Sequence, residues 1–499
     1  MTATRKYDNL VFLTGSTGFL GHYILAKLLN KDSTACRVLI RGSISDATTN
    51  LASLLEPLGV NLEGHLAAGR VEIVAGQLPD QLNPNWLTDV THIIHAAAST
   101  RFRRLGNDPY RSNVDGTQAL LEAARTAKVP RFCFVSTAYA GGIRIGNVPE
   151  EILNAPAVGC NDYENSKWLA EKLVMAWNGP GRVATIVRPS ILVGDRARGR
   201  ATAFAGIYLL ARGVELLARA VENDRETDRH AVPLGIMGKP NVRPNLIPVC
   251  WAAEKLVRTV LESRDEPGIL NLVNPAPPTS AQIKDWLEEY FDLRGGEFTD
   301  RVWPWENPSR YEEGFYSAGE SILDYFLRDL TFTSSLSTGE FAARPLVDKL
   351  HFMKCLKFSA RVQWGRATRV AHSAASESLD PAWYFEKYLV RHIPRSAASH
   401  ISGFNAIVRF IIEGSCGGEW ACRYVAGRLV ETGRHATSLR EQFGFRVKQG
   451  TFERIIRGKA KLQDAYFSGE ANIFGDVLAA LKMVPLMETF LHEFPVGLI

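Results

Sequence analysis

Short apolar runs alternate with helical patterns along residues 9 to about 275. Residues 9–13 form an apolar run that is typical of a strand buried on both faces of a parallel sheet. Because strands and helices alternate, we predict an α/β fold with a Rossmann-type doubly wound parallel sheet. The same pattern predicts strands at 37–40, 71–74, 92–95, 132–135 and 184–187, and helices at 23–29, 117–127 and 163–177.

The pattern weakens between residues 276 and 389. An aromatic-rich segment around Trp303, Pro304 and Trp305 marks an irregular connection, while residues 321–330 and 379–392 have helical periodicity. We therefore expect a partly helical cap or linker region in this stretch. The predicted α/β domain would then span residues 1–275.

The last hundred or so residues have a different pattern, with β-type runs first and helical runs afterwards. This order predicts a separate α+β domain over residues 390–499. The expected strands are at 406–412, 419–424, 428–430, 443–447 and 471–474, and the expected helices begin at Thr451 and after Asp476.

Composition excludes several classes of protein. A net charge of +5 over 499 residues, without a dense basic run, argues against nucleic-acid binding. Seven cysteines without metal-site spacing indicate a reducing compartment and no metal site, so we expect a cytoplasmic protein. No apolar stretch reaches the length of about 18 residues that a membrane span needs, which leaves only peripheral membrane contact open.

A glycine-rich segment follows the first predicted strand. Gly15, Gly18 and Gly21 have the spacing of a loop that lets backbone amides approach a dinucleotide pyrophosphate at a helix N-terminus. Three spaced glycines are also found in plain structural turns, but the strand before them and the helix after them favour a cofactor site.

Arg41 follows the second predicted strand, where an NAD-selective site would carry an acidic residue for the ribose hydroxyls. A guanidinium group at this position suits a 2′-phosphate, so we predict NADPH as the cofactor. The alternative is a solvent-facing arginine at a strand end.

Tyr163 and Lys167 are one helical turn apart and share a helix face. A tyrosine has an ordinary pKa near 10, so proton transfer near neutral pH requires a nearby cation that lowers this pKa. Lys167 can supply that charge. The same spacing also arises by chance in exposed helices, but its position after a glycine-rich loop favours an active site.

Polar residues follow the strand predicted at 132–135. Thr137 can hydrogen-bond a substrate carbonyl at the end of this strand. The neighbouring Ser136 could take the same role. For either residue, the alternative is a hydroxyl that only stabilises the fold. Asn113 is a candidate for holding Lys167 or a water molecule. Alternatively, the Asn113 side chain only forms hydrogen bonds with backbone groups.

With these motifs, the N-terminal region resembles an extended short-chain dehydrogenase/reductase, in the branch of fatty acyl-CoA reductases and thioester reductases related to male-sterility proteins. The resemblance covers about residues 9–275. It implies Thr137, Tyr163 and Lys167 as catalytic residues, with Asn113 in support. The motifs are 13–21, 95–98, 113–117, 135–139, the Tyr163 and Lys167 pair, and 187–195; the implied cofactor-binding residues are Gly15, Thr17, Gly18, Phe19, Leu20, Gly21, Arg41, Ala97, Tyr163 and Lys167.

Two features depart from this family. Gln77 stands where such proteins usually carry an aspartate for the adenine, so we expect that contact to be altered. Arg196, Arg198 and Arg200 crowd the loop after Asp195. They suit the phosphates of coenzyme A or of a phosphopantetheine arm, although a solvated loop is the simpler interpretation.

The C-terminal region resembles the lipid-binding fold of sterol carrier protein 2. The resemblance rests on residues 445–447, 452–459, 465–470 and 473–476. It implies an apolar tunnel for a lipid ligand, whereas the same apolar residues could instead fill a packed core. A domain that serves oligomer contacts is another alternative.

Together these features predict NADPH-dependent reduction of a fatty acyl thioester, carried by coenzyme A or an acyl carrier protein, to the aldehyde or further to the alcohol. One alternative is an NADP-dependent dehydrogenase or reductase of a sterol or another lipid alcohol or ketone. A second alternative, from another class, is a lipid-binding or transfer protein with a regulatory nucleotide site.

Overall fold

The structure is a computed structural model of the chain. It describes all residues except 1–6, 103, 105–106, 142–145, 154–160, 223, 225, 263–265, 336–345, 369–379, 397–404, 435–440, 459, 461, 463–464, 467–469, 495 and 497–499. Lys459 and residues 467–469, which belong to the C-terminal motifs, lie outside the described residues.

Strands and α-helices are numbered in chain order. The strands are β1 (Asn9–Thr14), β2 (Thr34–Ile40), β3 (Val71–Ala75), β4 (His92–His95), β5 (Arg131–Val135), β6 (Gly146–Val148), β7 (Val183–Pro189), β8 (Ile191–Val193), β9 (Leu234–Met237), β10 (Leu246–Pro248), β11 (Gly268–Leu272), β12 (Gly296–Thr299), β13 (Leu330–Phe332), β14 (Ala406–Glu413), β15 (Gly418–Val425), β16 (Arg428–Gly433), β17 (Phe443–Lys448) and β18 (Ala471–Gly475). The α-helices are α1 (Phe19–Leu29), α2 (Ile44–Leu55), α3 (Leu62–Ala67), α4 (Gly116–Thr126), α5 (Asp162–Ala176), α6 (Ile207–Glu222), α7 (Val249–Leu261), α8 (Ser280–Phe291), α9 (Arg310–Leu327), α10 (Lys349–Arg361), α11 (Pro381–Trp383), α12 (Leu389–His392), α13 (Gln449–Ile456) and α14 (Val477–Glu493).

The chain forms two compact units. The first contains Met1–Ala203, Asn241–Ser280 and Arg328–Cys355. The second contains Phe204–Pro240, Ala281–Leu327 and Leu356–Ile499. Each unit is therefore assembled from three separate stretches of the chain.

A seven-stranded parallel sheet forms the centre of the first unit, in the order β11-β7-β5-β4-β1-β2-β3. This is the predicted doubly wound fold, and the prediction is confirmed. Apolar residues such as Val11 and Leu13 face one helical layer, while Phe12 faces the other, and all three are fully buried. The strand order reverses between β1 and β4, so a crevice opens at the carboxyl ends of these strands.

The second unit contains a five-stranded sheet in the order β16-β15-β14-β17-β18. Strand β14 alternates buried and partly exposed residues, as expected for a sheet with one covered face. Helix α14 begins after Asp476, whose carboxylate accepts hydrogen bonds from the amides of Leu478 and Ala479. The predicted order of strands and then helices is thus seen in this region.

Within the described part of the chain, no helix is both long and apolar enough to cross a membrane. The described cysteines are free thiols.

Candidate functional site

Two glycines where β1 turns into α1 have no room for a side chain. Gly15 has φ +76°, and a Cβ there would lie 2.5 Å from the amide nitrogen of Ala97. A Cβ on Gly21 would lie 1.9 Å from the carbonyl oxygen of Gly15. The amide of Gly18 closes the loop by donating to the same oxygen at 2.9 Å. Glycine at positions 15 and 21 is therefore a steric requirement.

The loop geometry fits the pyrophosphate of a dinucleotide. Thr17 and Gly18 are exposed, and no side chain caps the N-terminus of α1. The Ser16 hydroxyl is buried yet has no hydrogen-bond partner among the described residues. Because buried polar groups are normally paired, an unpaired hydroxyl inside this loop is consistent with a polar ligand at the site. Thr17, Gly18, Phe19 and Leu20 would line the bound phosphates.

Arg41 lies directly after β2 and is exposed. Its neighbour Gly42 has φ +86°, which turns the chain away from the strand. Ser43 is already engaged, because its hydroxyl caps α2 by accepting from the amide of Asp46. Within the described residues no hydrogen bond or ion pair involves the Arg41 side chain, so its guanidinium is available to a ligand.

Thr137 and Tyr163 come together at the end of β5. Their side chains are hydrogen-bonded to each other, and the hydroxyl oxygen of Thr137 also accepts from the amide of Tyr139 at 3.3 Å. Ser136 has a buried hydroxyl without a partner among the described residues. Thr137, rather than Ser136, is therefore the hydroxyl that is hydrogen-bonded to Tyr163.

The charge environment of Tyr163 differs from the sequence expectation. Burial and the neighbouring carboxylate of Glu164 raise the pKa of Tyr163 well above its ordinary value, and the Thr137 hydrogen bond lowers it only in part. Lys167 does not contribute to lowering this pKa. Because burial lowers the pKa of Lys167 to about 7, this lysine is neutral at the pH where Tyr163 ionises, so the expected depression of the Tyr163 pKa is not seen.

Lys167 is almost fully buried below the carboxyl end of the sheet. Its Nζ donates to the carbonyl oxygen of Val135 at 2.7 Å and lies 3.9 Å from the centroid of the Phe134 ring. Burial lowers the pKa of Lys167 to about 7, and the charge of Glu171 opposes this shift. A lysine in this state changes protonation near neutral pH, where its charge can respond to a bound anion.

Glu171 lies one helical turn beyond Lys167 and is held by Arg188 of β7. The guanidinium donates to both Glu171 carboxylate oxygens at 2.7 Å, and both side chains are almost fully buried. Such a bidentate pair fixes the carboxylate in position. Sequence reasoning missed this pair, although a carboxylate four residues after Lys167 on the same helix face is a usable signal.

Asn113 lies in a π-helical stretch, Arg111–Asp115, that precedes α4. Its amide nitrogen donates to the Ser99 carbonyl at 2.8 Å and to the Ser166 hydroxyl at 2.9 Å, and its oxygen accepts from the Ser99 amide at 2.7 Å. Ser166 in turn donates to the carbonyl oxygen of Tyr163 at 2.8 Å. Asn113 thus ties the loop at Ser99 to the turn of α5 that carries Tyr163, and these hydrogen bonds do not include Lys167.

His95 ends β4 beside this network and is buried. Thr117 donates to the Asn113 carbonyl, so its oxygen is free to accept from His95 Nε2, 3.1 Å away. Nδ1 then accepts from the Thr14 hydroxyl at 2.7 Å. Burial and the nearby Lys167 lower the pKa of His95 to about 3, so the ring is neutral. His95 therefore connects β1 and α4 rather than transferring protons.

The two departures from the family pattern lie at the surface. Gln77 is exposed just beyond β3. Arg196 and Arg198 are also exposed, whereas Arg200 is partly buried. The backbone of this loop is fixed by Asp195, whose carboxylate accepts from the Arg198 amide at 2.7 Å.

In comparison with known proteins, part of the chain matches a family model. Residues 13–239 match the NAD-binding family described as male sterility protein.

The chain is also similar to parts of other proteins. It is 27% identical over 330 residues to an isonitrile lipopeptide synthase of Streptomyces coeruleorubidus, covering 63% of this chain and 21% of the synthase. It is 33% identical over 188 residues to a 4-hydroxy-2-methyl-3-oxo-4-farnesyl-3,4-dihydroquinoline-1-oxide ketoreductase of Stigmatella aurantiaca, covering 37% of this chain and 50% of the ketoreductase. The chain thus spans half or less of the length of these relatives.

Among solved structures, the terminal R domain of the myxalamid PKS-NRPS biosynthetic pathway has a similar fold. The TM-score is 0.56 at 20% sequence identity, and the match covers 72% of this chain and 92% of the R domain. The resemblance predicted from the N-terminal motifs is therefore confirmed. Residues 13–239 match the male sterility protein family, which supports the predicted resemblance to the thioester-reductase branch of the extended short-chain dehydrogenases/reductases.

Proposed function

We propose that the protein is an NADPH-dependent reductase of fatty acyl thioesters. The observation that carries this proposal is the grouping of Thr137, Tyr163 and Lys167 at the carboxyl ends of the parallel strands, in the same unit as the loop that follows β1. Open α/β sheets bind ligands at this edge. A nicotinamide cofactor held by the loop would supply hydride to the substrate carbonyl carbon.

The residues of the chain have separate tasks in this reaction. Thr137 and Tyr163, already hydrogen-bonded to each other, would donate to the carbonyl oxygen as negative charge develops on it. Lys167 would gain positive charge when the anionic cofactor binds, because its pKa of about 7 leaves it readily protonated. The hemithioacetal formed from the thioester then collapses, releasing aldehyde and free thiol.

The choice of NADPH rests on Arg41. An exposed guanidinium just after β2 suits the 2′-phosphate of NADPH. An acidic residue, which would favour the ribose hydroxyls of NADH, is absent from residues 41–43.

The choice of a lipid substrate rests on the C-terminal sheet. A cavity of about 60 Å³ lies inside the second unit, and its lining is almost entirely apolar. It is surrounded by side chains that include Phe385, Phe410, Phe445, Phe452 and Met483. We propose that this region has the fold of sterol carrier protein 2 and holds part of an acyl chain. A lipid site tethered to a reductase would raise the local concentration of a poorly soluble substrate.

A thioester carried by coenzyme A or by an acyl carrier protein fits this account, and a cytoplasmic location is part of the proposal. The similarity to a ketoreductase over 188 residues favours one rival, the reduction of a lipid ketone with the same catalytic residues. A lipid-binding protein with a regulatory nucleotide site is the other rival.

Product analysis separates these functions. The purified protein is incubated with NADPH and either a panel of acyl-CoAs or a panel of lipid ketones, and the products are identified by mass spectrometry. The proposal predicts aldehyde or alcohol from the acyl-CoAs. Turnover of ketones alone would favour the rival enzyme, and no turnover would favour a binding protein.

A further inference from the structure

A second buried ion pair lies directly beside Tyr163. Glu164 follows Tyr163 in α5, and its carboxylate accepts from Nη1 of Arg328 at 2.7 Å. The side chains of Glu164 and Arg328 are only 0% and 3% exposed. Arg328 lies 164 residues further along the chain, outside the residues that match the family.

The segment that carries Arg328 is fixed to the reductase unit. Strand β13 pairs in parallel with β6. Beyond the strand, Asn271 donates to the Thr333 carbonyl at 2.8 Å, and the Ser334 hydroxyl donates to the Asn271 carbonyl at 2.7 Å. Arg328 is therefore held in place from outside the helix that carries the catalytic tyrosine.

The charge of Glu164 acts against the function of Tyr163. A buried carboxylate next to a phenol stabilises the protonated phenol, so Glu164 raises the pKa of Tyr163. Without a cationic partner, this carboxylate would be buried, unpaired and adjacent to the tyrosine. Arg328 supplies that partner, and its charge also acts on Tyr139 beside Thr137.

We propose that Arg328 is a positioning residue for the reduction: it neutralises and orients Glu164, so that the Tyr163 hydroxyl stays directed to the substrate oxygen. The inference rests on the proposed function. It also implies that the segment 328–335 completes the active site, although it follows the family-matched region by almost ninety residues.

The test compares Arg328→Met, Glu164→Gln and the double variant with the full-length wild type, using NADPH with decanal and with decanoyl-CoA. Arg258→Met is the matched control, because it makes the same substitution in an ion pair that is exposed. Arg258 lies in α7 and pairs with Glu262, which follows the helix. We expect Arg328→Met to lower kcat about tenfold or more, while KM and the Kd for NADPH change less than about twofold. Removing the carboxylate in the double variant should restore kcat to within about threefold of wild type.

Other results would overturn the inference. A purely structural pair would lower the melting temperature in both single variants and leave kcat unchanged in folded protein. A folded Arg328→Met variant with wild-type kcat, or a loss that persists in the double variant, contradicts a positioning role.

If Arg328→Met does not fold, Arg328→Lys retains the charge and is expected to keep kcat within about threefold of wild type. A tenfold loss in that variant would contradict the inference. A wild type that reduces decanal but not decanoyl-CoA refutes the thioester proposal and leaves the comparison of variants intact.

Discussion

The buried ammonium group of Lys167 donates a hydrogen bond to the carbonyl oxygen of Val135, 2.7 Å away at the end of β5. This bond anchors α5 to the sheet at the point where the chemistry is proposed. In this arrangement, Lys167 is an anchor whose charge depends on pH.

That dependence predicts a change in stability. Burial lowers the pKa of Lys167 from 10.5 to about 7, so between pH 7 and 10.5 the unfolded chain binds a proton that the folded chain does not. The free energy of unfolding should therefore rise with pH in this window. Between pH 7 and 9, wild type should gain about 2 kcal/mol relative to Lys167→Met. Urea denaturation at both pH values measures the free energy of unfolding, and Lys31→Met, at an exposed position, is the control. An equal increase in this free energy for all three proteins would refute the lowered pKa of Lys167.

Reversing the charge at Arg41 should change cofactor preference. We expect Arg41→Glu to weaken NADPH binding by about a hundredfold, because a carboxylate would repel the 2′-phosphate, while NADH binding changes less than about threefold. Quenching of intrinsic fluorescence gives both dissociation constants. Lys31→Glu makes the same charge change at another exposed position and should affect neither. If Arg41→Glu weakened the binding of NADPH and NADH equally, the preference for NADPH would be refuted.

The phosphate loop should not tolerate a methyl group at Gly21. A Cβ there would lie 1.9 Å from the Gly15 carbonyl oxygen, so Gly21→Ala must displace the loop. We expect a loss of about 1–3 kcal/mol of stability and at least tenfold weaker NADPH binding. Gly268→Ala is the control, because a Cβ at Gly268 meets nothing within 4 Å. Normal NADPH binding by Gly21→Ala would show that this loop does not hold the cofactor.

Filling the C-terminal cavity should separate lipid binding from reduction. Met487 lines the cavity and is only partly buried, so Met487→Trp adds volume at its edge. We expect about tenfold weaker binding of a fluorescent fatty acid, while kcat for a water-soluble short aldehyde is unchanged. Thr489→Val in the same helix, away from the cavity lining, is the control. Unchanged fatty-acid binding by Met487→Trp would argue against an acyl site in this cavity.

Local patterns in the sequence were sufficient to predict the strands and helices on which the site residues lie. The apolar run at residues 9–13 became β1, and the helical pattern at 163–177 became α5, because burial of one face or both faces leaves a short-range signal. The glycine spacing likewise predicted a loop whose steric requirements are now explicit.

Pairings between distant residues could not be predicted in this way. The helical pattern at 321–330 suggested a helix to its end, yet α9 stops at Leu327, and residues 330–332 form a strand. That strand exists because it pairs with β6, almost two hundred residues earlier. The contact of Glu164 with Arg328 depends on this pairing. The periodicity of the local sequence does not indicate which distant strand pairs with residues 330–332.

The central claim is that Tyr163 acts on the carbonyl oxygen of an acyl thioester. The most direct measurement is a single-turnover reaction of the NADPH-loaded protein with decanoyl-CoA, following NADPH absorbance and release of free thiol together. Wild type should release one thiol for each NADPH consumed in the first reduction. At saturating NADPH, Tyr163→Phe should slow both signals by a factor of about 10² to 10⁴. Thiol release at the wild-type rate in Tyr163→Phe, or NADPH oxidation without thiol release, would contradict the account.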